Sequence, residues 1–85
     1  MRPTPHDVHD WFARCGTIAM AAACLTTLHA DPNWRIRHTR GVALHTFSLL
    51  YSPTGECIEV VLLRVGPLCY PHVATYDVAT DAAAG

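Results

Sequence analysis

The sequence contains no lysine and no glutamine, and its only asparagine is Asn33. Its 6 basic side chains are all arginine, and with 7 acidic residues the formal net charge is -1 when the histidines are neutral. A chain with this balance has no general attraction for nucleic acid or for an acidic membrane surface. We therefore do not expect direct nucleic-acid binding.

Long apolar runs and a secretion signal are also missing. The longest apolar stretch, residues 18–28, is too short to span a bilayer and consists mostly of alanine and threonine. Residues 1–10 hold one Arg, two Pro and two Asp before any apolar run, unlike a signal peptide. We expect no membrane association and a reducing, cytoplasmic setting. In that setting we expect the cysteines to be free thiols or metal ligands in preference to disulfide partners. The four cysteines are Cys15, Cys24, Cys57 and Cys69.

The composition suits one small globular domain over residues 1–85. Hydrophobic residues make up 51% of the chain and charged residues 15%, which is a folded composition. Helical spacing of apolar residues covers 4–30, strand patterns cover 34–78, and 79–85 look like a frayed tail. We predict an α+β fold in which an N-terminal helical region packs on a three- or four-stranded antiparallel sheet.

The helical region begins at a capping pattern. Thr4 can cap the helix, the proline after it suits the first helical position, and Asp7 completes a box-like motif. Gly16 then interrupts the helical spacing. Either one helix continues through Gly16, or a short helix ends near Arg14 and a second begins at Cys15. The sequence leaves both alternatives open.

The second half of the chain has strand and turn patterns. A short alternating strand is predicted over 34–38, and the strongest strand, rich in β-branched and aromatic residues, over 42–51. A turn at 52–55 with well-placed proline and glycine leads into a return strand over 56–65. A weaker strand over 68–78 contains a proline, which is tolerated at a sheet edge. These patterns predict a hairpin with flanking strands.

One pattern points to chemistry: a Cys-Gly pair at a helix, and a histidine on a following strand. A cysteine in the first turn of a helix has a lowered pKa because the positive end of the helix dipole favours the thiolate. Arg14 beside Cys15 would add to this effect. His45 shares a strand face with Phe47 and Tyr51, the bulkier face that a helix would cover. A thiol at a helix start above a strand histidine is the arrangement of Cys–His nucleophilic catalysis.

These residues resemble the papain-like superfamily in its broad sense, including transglutaminase-like domains and bacteriocin-processing peptidases. Cys15-Gly16 followed by alanines is similar to the cysteine block of those families, and the Gly-Val-Ala-Leu-His-Thr-Phe segment at 41–47 resembles the histidine block. The resemblance covers about 13–61. It implies a minimal papain-like fold, with Cys15 as the nucleophile and His45 as the base.

A papain-like site would also need a third residue that orients the histidine from the next strand. Spacing from His45 places this residue near Val61, whose side chain cannot do so. Glu59 is close in sequence, but it points away from His45 if the residues flanking the 52–55 turn pair directly. A register change of one residue would reverse its direction. Asp77 on the last strand is the other candidate.

Two histidines near the start of the chain could share a helix face. His6 and His9 have a suitable spacing for this, but no cysteine cluster accompanies them. We interpret them as part of a solvated helix face, and we predict neither a metal nor a cofactor.

Arg35, Arg37 and Arg40 form a local basic patch. Arg35 and Arg37 share one strand face and could bind phosphate or an acidic protein surface. A plain solvated strand edge is the interpretation that we favour for these residues.

Two functions from different classes follow. The preferred one is a small protein-binding module on a degenerate papain-like scaffold, since the third site residue is missing. Its size suits an inhibitor from a phage or mobile element. By analogy with anti-CRISPR proteins, its partner would be a host protein or ribonucleoprotein complex of a defence system. The alternative is a cysteine hydrolase or acyltransferase that uses Cys15 and His45. Both a monomer and a homodimer remain open, because an exposed edge strand can pair with a second copy.

Overall fold

A computed structural model describes residues 2–77. Two helices precede four strands: α1 (Pro5–Ala13), α2 (Ile18–His29), β1 (Trp34–Arg40), β2 (Leu44–Tyr51), β3 (Glu56–Val65) and β4 (Leu68–Asp77). The strands form one antiparallel sheet in chain order, so each neighbour follows directly in the sequence. The predicted α+β fold is confirmed. The expected tail at 79–85 lies outside the described residues. No helix within 2–77 is long and apolar enough to cross a membrane.

The helical region is divided at Gly16. The first helix ends at Ala13 and the second begins at Ile18, so the two-helix alternative is confirmed. The predicted start of the second helix at Cys15 is wrong. The physical reason is that Thr17 is the better cap, because its hydroxyl accepts the backbone N–H of the third helical residue at 3.2 Å.

The connection between the helices is anchored to the sheet. The N–H of Cys69 donates to the Gly16 carbonyl at 3.0 Å, and the N–H of Ile18 donates to the Pro67 carbonyl at 3.1 Å. Thr17, between them, has extended backbone angles of φ -138 and ψ 157. Cys15 is therefore held beside the start of β4 in a non-helical segment.

The predicted capping box of α1 is present. The Thr4 hydroxyl accepts the N–H of Asp7 at 3.3 Å, and the Asp7 carboxylate accepts the N–H of Thr4 at 3.0 Å. This backbone hydrogen bond holds the pKa of Asp7 below its ordinary value. Two N–H groups that a helix start leaves unpaired are thus satisfied by local side chains.

Substituting Thr4 should test this cap. We expect Thr4→Ala to lower the free energy of unfolding by about 1 kcal/mol, because it removes the hydroxyl that accepts the backbone N–H of Asp7. Thr26→Ala is the matched control. The Thr26 hydroxyl also binds its own helix, donating to the Ala22 carbonyl at 3.0 Å, but that carbonyl already lies inside the helix. Urea denaturation should show a loss for Thr4→Ala alone. Equal losses for both variants would contradict a specific capping role.

The strand alternation gives the sheet two different faces. The side facing the helices, here called the helix face, holds the core, and the other side is called the open face. α1 packs over β3 and β4, and α2 packs over β1. The fully or almost fully buried side chains of this core include Val8, Phe12, Leu28, Phe47, Leu49, Ile58, Val60 and Leu62. No helix among the described residues covers the open face.

Candidate functional site

Cys15 is a buried thiol. Only 1% of it is exposed, its Sγ donates to the Trp11 carbonyl at 3.3 Å, and its Sγ lies 3.9 Å from the Sγ of Cys24. Burial raises the pKa of Cys15 to about 12, and the neighbouring Cys24 thiol adds to the rise. This is the opposite of the lowered pKa predicted for a cysteine in a first helical turn. The thiol is protonated at neutral pH, and a protonated thiol is a poor nucleophile.

His45 lies on the helix face of β2, as its strand alternation predicts. Its Nδ1 is 3.1 Å from the Nε2 of His38 on β1, and the His38 ring stacks on Phe47 with 4.3 Å between centroids. Cys15 sits by the start of β4, two strands away from β2, which corresponds to roughly 10 Å. No hydrogen bond joins Cys15 to His45 within residues 2–77. The structure therefore pairs His45 with a second histidine and not with the predicted nucleophile.

Asp77 lies at the far end of the helix face from His45. The row of the sheet that contains His45 continues through Leu62 to Pro71. Asp77 is six residues further along β4 than Pro71, a distance of roughly 20 Å along a strand. Asp77 is thus not placed to orient the His45 ring.

Glu59 belongs to a polar network on the open face. The residues flanking the 52–55 turn do pair with each other, and this register turns Glu59 away from His45 as expected. Its Oε1 accepts hydrogen bonds from the Ser48 hydroxyl and the Tyr76 hydroxyl, both at 2.9 Å. Hydrogen bonds with Cys57 and Glu59 raise the pKa of Tyr76. The network crosses three strands and holds these side chains in one arrangement.

The predicted arginine patch is divided between the two faces. Arg35 and Arg37 share the open face, which confirms that part of the prediction. Arg40 lies on the helix face, where it pairs in register with His45. Neither Arg35 nor Arg37 forms an ion pair with another described residue, since the one salt bridge found in residues 2–77 joins Arg14 to Asp10.

A concavity on the open face joins the arginines to the polar network. It has a volume of about 590 Å³, and its lining residues include Arg35, Arg37, Ser48, Leu50, Glu59 and Tyr76. The opposite end of the same face is apolar. Leu44, Leu63 and Tyr70 form one row across β2, β3 and β4, with exposed fractions of 41%, 47% and 57%. The open face thus combines a polar, positively charged end with an exposed apolar end.

Comparison of the chain with known protein families, with characterised proteins and with solved structures found no match. The resemblance to the papain-like superfamily therefore stays a prediction. The candidate site rests on the geometry of this chain alone, and the open face combines an exposed apolar row with a concavity lined by two arginines.

Two features of the structure were not predicted from the sequence. The Glu59 network could have been found, because Ser48 and Glu59 occupy directly opposed positions once the hairpin register is known. The contact between His38 and His45 needed the pairing of β1 with β2. Within the described part of the chain, no three His, Cys, Asp or Glu side chains come close enough to hold a metal ion.

Proposed function

We propose that this protein is a small protein-binding module that uses the open face of its sheet. Its partner would be an acidic protein surface that presents carboxylates next to apolar side chains. The observation that carries this proposal is the union, on one uncovered face, of an exposed apolar row with two arginines that have no ion-pair partner among residues 2–77.

The apolar end supports an interface because monomers rarely leave contiguous apolar surface exposed. Leu63 is 47% exposed between Leu44 and Tyr70, and the β3–β4 hairpin adds Val65 at 55% and Leu68 at 46%. Burying this group against a partner would contribute about 25 cal/mol for each Å² of apolar surface removed from water. The apolar end would supply affinity.

The charged end supports the choice of partner. With histidines neutral, the described open face carries two guanidinium groups, Arg35 and Arg37, and one carboxylate, Glu59. That carboxylate already accepts two hydrogen bonds from its neighbours. The face is therefore positive although the whole chain has a formal charge of -1. Guanidinium groups bind carboxylates through two parallel hydrogen bonds, which would fix the orientation of an acidic partner.

The dimensions of the face suit a protein partner. Four strands spaced about 4.8 Å apart, with about eight residues each, give a surface of roughly 500 Å² in projection. Side-chain relief enlarges this surface toward the roughly 800 Å² per partner of a standard interface. The Ser48–Glu59–Tyr76 hydrogen bonds hold the polar side chains in place before binding, which reduces the side-chain entropy that is lost on association.

The biological setting is a further proposal. A module of 85 residues suits an inhibitor that acts by occupying a surface, and a host defence complex, as bound by anti-CRISPR proteins, is the partner that we propose. The degenerate papain-like scaffold is likewise a proposal. It is supported by the order of elements, in which a helical region with Cys15 precedes an antiparallel sheet with His45.

Paired surface substitutions should test the open face. Quantitative capture of partners from lysate would compare the wild type with Leu63→Ser and with the double variant Arg35→Glu, Arg37→Glu. We expect a stoichiometric partner to bind at least about tenfold more weakly to both, because each removes contacts at an interface centre. The captured partner should carry an acidic surface and should lose affinity as salt is raised.

The controls match the substitutions in chemistry and exposure. Met20 on α2 is 47% exposed, the same fraction as Leu63, so Met20→Ser removes equal apolar exposure from another surface. Arg40→Glu reverses a charge on the helix face. Capture that is lost equally in these controls, or retained in the open-face variants, would refute the proposal. Light scattering of the purified chain provides a further test, because self-association through Leu63 would show that a second copy covers this face.

A further inference from the structure

Four basic side chains share one end of the helix face, on the opposite side of the sheet from the proposed protein interface. His38 and Arg40 come from β1, His45 from β2 and Arg64 from β3. Arg40 pairs in register with His45. The backbone N–H of Arg64 donates to the Ala43 carbonyl at 2.8 Å, which brings the end of β3 against the turn between β1 and β2.

An apolar pocket opens directly beside this basic cluster. Its volume is about 190 Å³, and it lies between α2 and the sheet. Ile18, Ala22 and Leu25 of α2 form one wall, and the rings of His38 and His45 form part of the other. The pocket therefore has an apolar interior and a basic rim.

No described carboxylate balances the basic rim. The acidic residues of 2–77 lie on α1, just after α2, at the opposite end of the sheet or on the open face: Asp7, Asp10, Asp31, Glu56, Glu59 and Asp77. Burial lowers the pKa of His45, and the nearby His38, Arg40 and Arg64 lower it further. The rim thus resists additional positive charge, and an anion placed there would relieve this repulsion.

We propose that this pocket binds a small organic phosphate with an apolar body. The body would enter between α2 and the sheet. The phosphate would lie at the rim, where His45 can take up a proton and where Arg40 and the terminal guanidinium N–H groups of Arg64 can donate hydrogen bonds. The Arg64 Nε already donates to the Gly66 carbonyl at 3.0 Å. The two arginines and two histidines match a dianionic head group better than a single negative charge. The volume suits a group of about the size of a phenyl ring.

Titration with phenyl phosphate, followed by NMR, tests the proposal. We expect saturable binding with a Kd of about 0.1–1 mM, which is typical of so small a ligand. Phenol and inorganic phosphate should each bind at least about tenfold more weakly, because each keeps only one of the two contacts. At constant pH, the ring signals of His45 should move toward their protonated positions as the phosphate binds.

Matched variants separate the pocket from general electrostatics. Ala22→Leu fills the pocket with a good helix former and should abolish saturable binding, whereas Ala19→Leu on the same helix, outside the pocket lining, should retain it. Arg64→Gln should weaken binding about fivefold through the lost charge-assisted hydrogen bond. Arg2→Gln, beside Asp31 and Pro32 and outside both proposed sites, should leave it unchanged.

Three results would overturn the proposal. The first is no saturable shift up to about 10 mM phenyl phosphate. The second is equal binding of inorganic phosphate, which would show that the basic cluster binds anions and that the apolar pocket plays no part. The third is equal weakening by Arg2→Gln and Arg64→Gln. None of these results bears on the protein-binding function, since Arg35 and Leu63 lie on the other face of the sheet.

Discussion

Replacing Phe12 by alanine is expected to lower the free energy of unfolding by about 3–5 kcal/mol. Phe12 is fully buried between α1 and the sheet, and its ring centroid lies 6.5 Å from that of Phe47. Removing the ring loses its burial and leaves a cavity that the surrounding strands can fill only in part. A domain of this length is stable by roughly 4–13 kcal/mol. The variant should therefore unfold at markedly lower urea concentration, or be largely unfolded in buffer.

Far-UV circular dichroism during urea denaturation would measure this effect. Val42→Ala is the control, because Val42 is 99% exposed and its loss should change stability by no more than about 0.5 kcal/mol. A loss below about 1 kcal/mol for Phe12→Ala would mean that α1 is not packed against the sheet as described. The m-value should stay constant in both variants if the transition remains two-state.

Alkylation of Cys15 at pH 7 should be about three orders of magnitude slower than that of an ordinary thiol. A thiol with a pKa of about 12 is ionised roughly three thousandfold less at this pH than one with a pKa of about 8.5. Burial of the sulfur adds a steric barrier. His45→Ala should not change the rate, because His45 contacts His38 on β1 and Cys15 lies beside β4, on the other side of β3. Iodoacetamide labelling followed by peptide mass spectrometry resolves the four cysteines.

Labelling in concentrated urea is the control, since the unfolded chain should react at the ordinary rate.

The same raised pKa of Cys15 makes the stability of the fold depend on pH in the alkaline range. Its stabilising contribution is fully present below about pH 8.5 and is lost as the pH rises toward about 12, where the unfolded chain releases a proton that the folded chain keeps. Cys15→Ala should remove this part of the alkaline loss of stability. Rapid labelling at pH 7 that His45→Ala abolishes would instead demonstrate an assembled Cys–His pair.

Local features of the fold were predictable because they depend on residues close together in the chain. The Thr4–Asp7 box, the break at Gly16 and the turn at 52–55 all appear where the sequence places them. Some boundaries shifted. The first strand runs to Arg40, beyond the predicted end at residue 38, and the second begins at Leu44 rather than 42. The cause is the turn between them, in which Ala43 has a positive φ of 57. Alanine rarely adopts this conformation, so the sequence does not indicate a turn at this residue.

The site was predictable only in part. Strand alternation correctly placed Arg35 and Arg37 together and, given the hairpin register, turned Glu59 away from His45. The chemistry of Cys15 was not predictable, because it depends on where the second helix starts and on what surrounds the sulfur. Trp11, Cys24 and the start of β4 enclose it, and their positions result from packing.

The sequence by itself therefore determined the cap of α1, the hairpin and the two-sided pattern of the strands, since each results from short-range geometry. Only the tertiary structure decided that α1 and α2 both cover one face and leave the other open. It also decided that His45 meets His38 and that Cys15 is buried and protonated. These outcomes depend on contacts between elements distant in sequence, where packing against neighbours outweighs local preference.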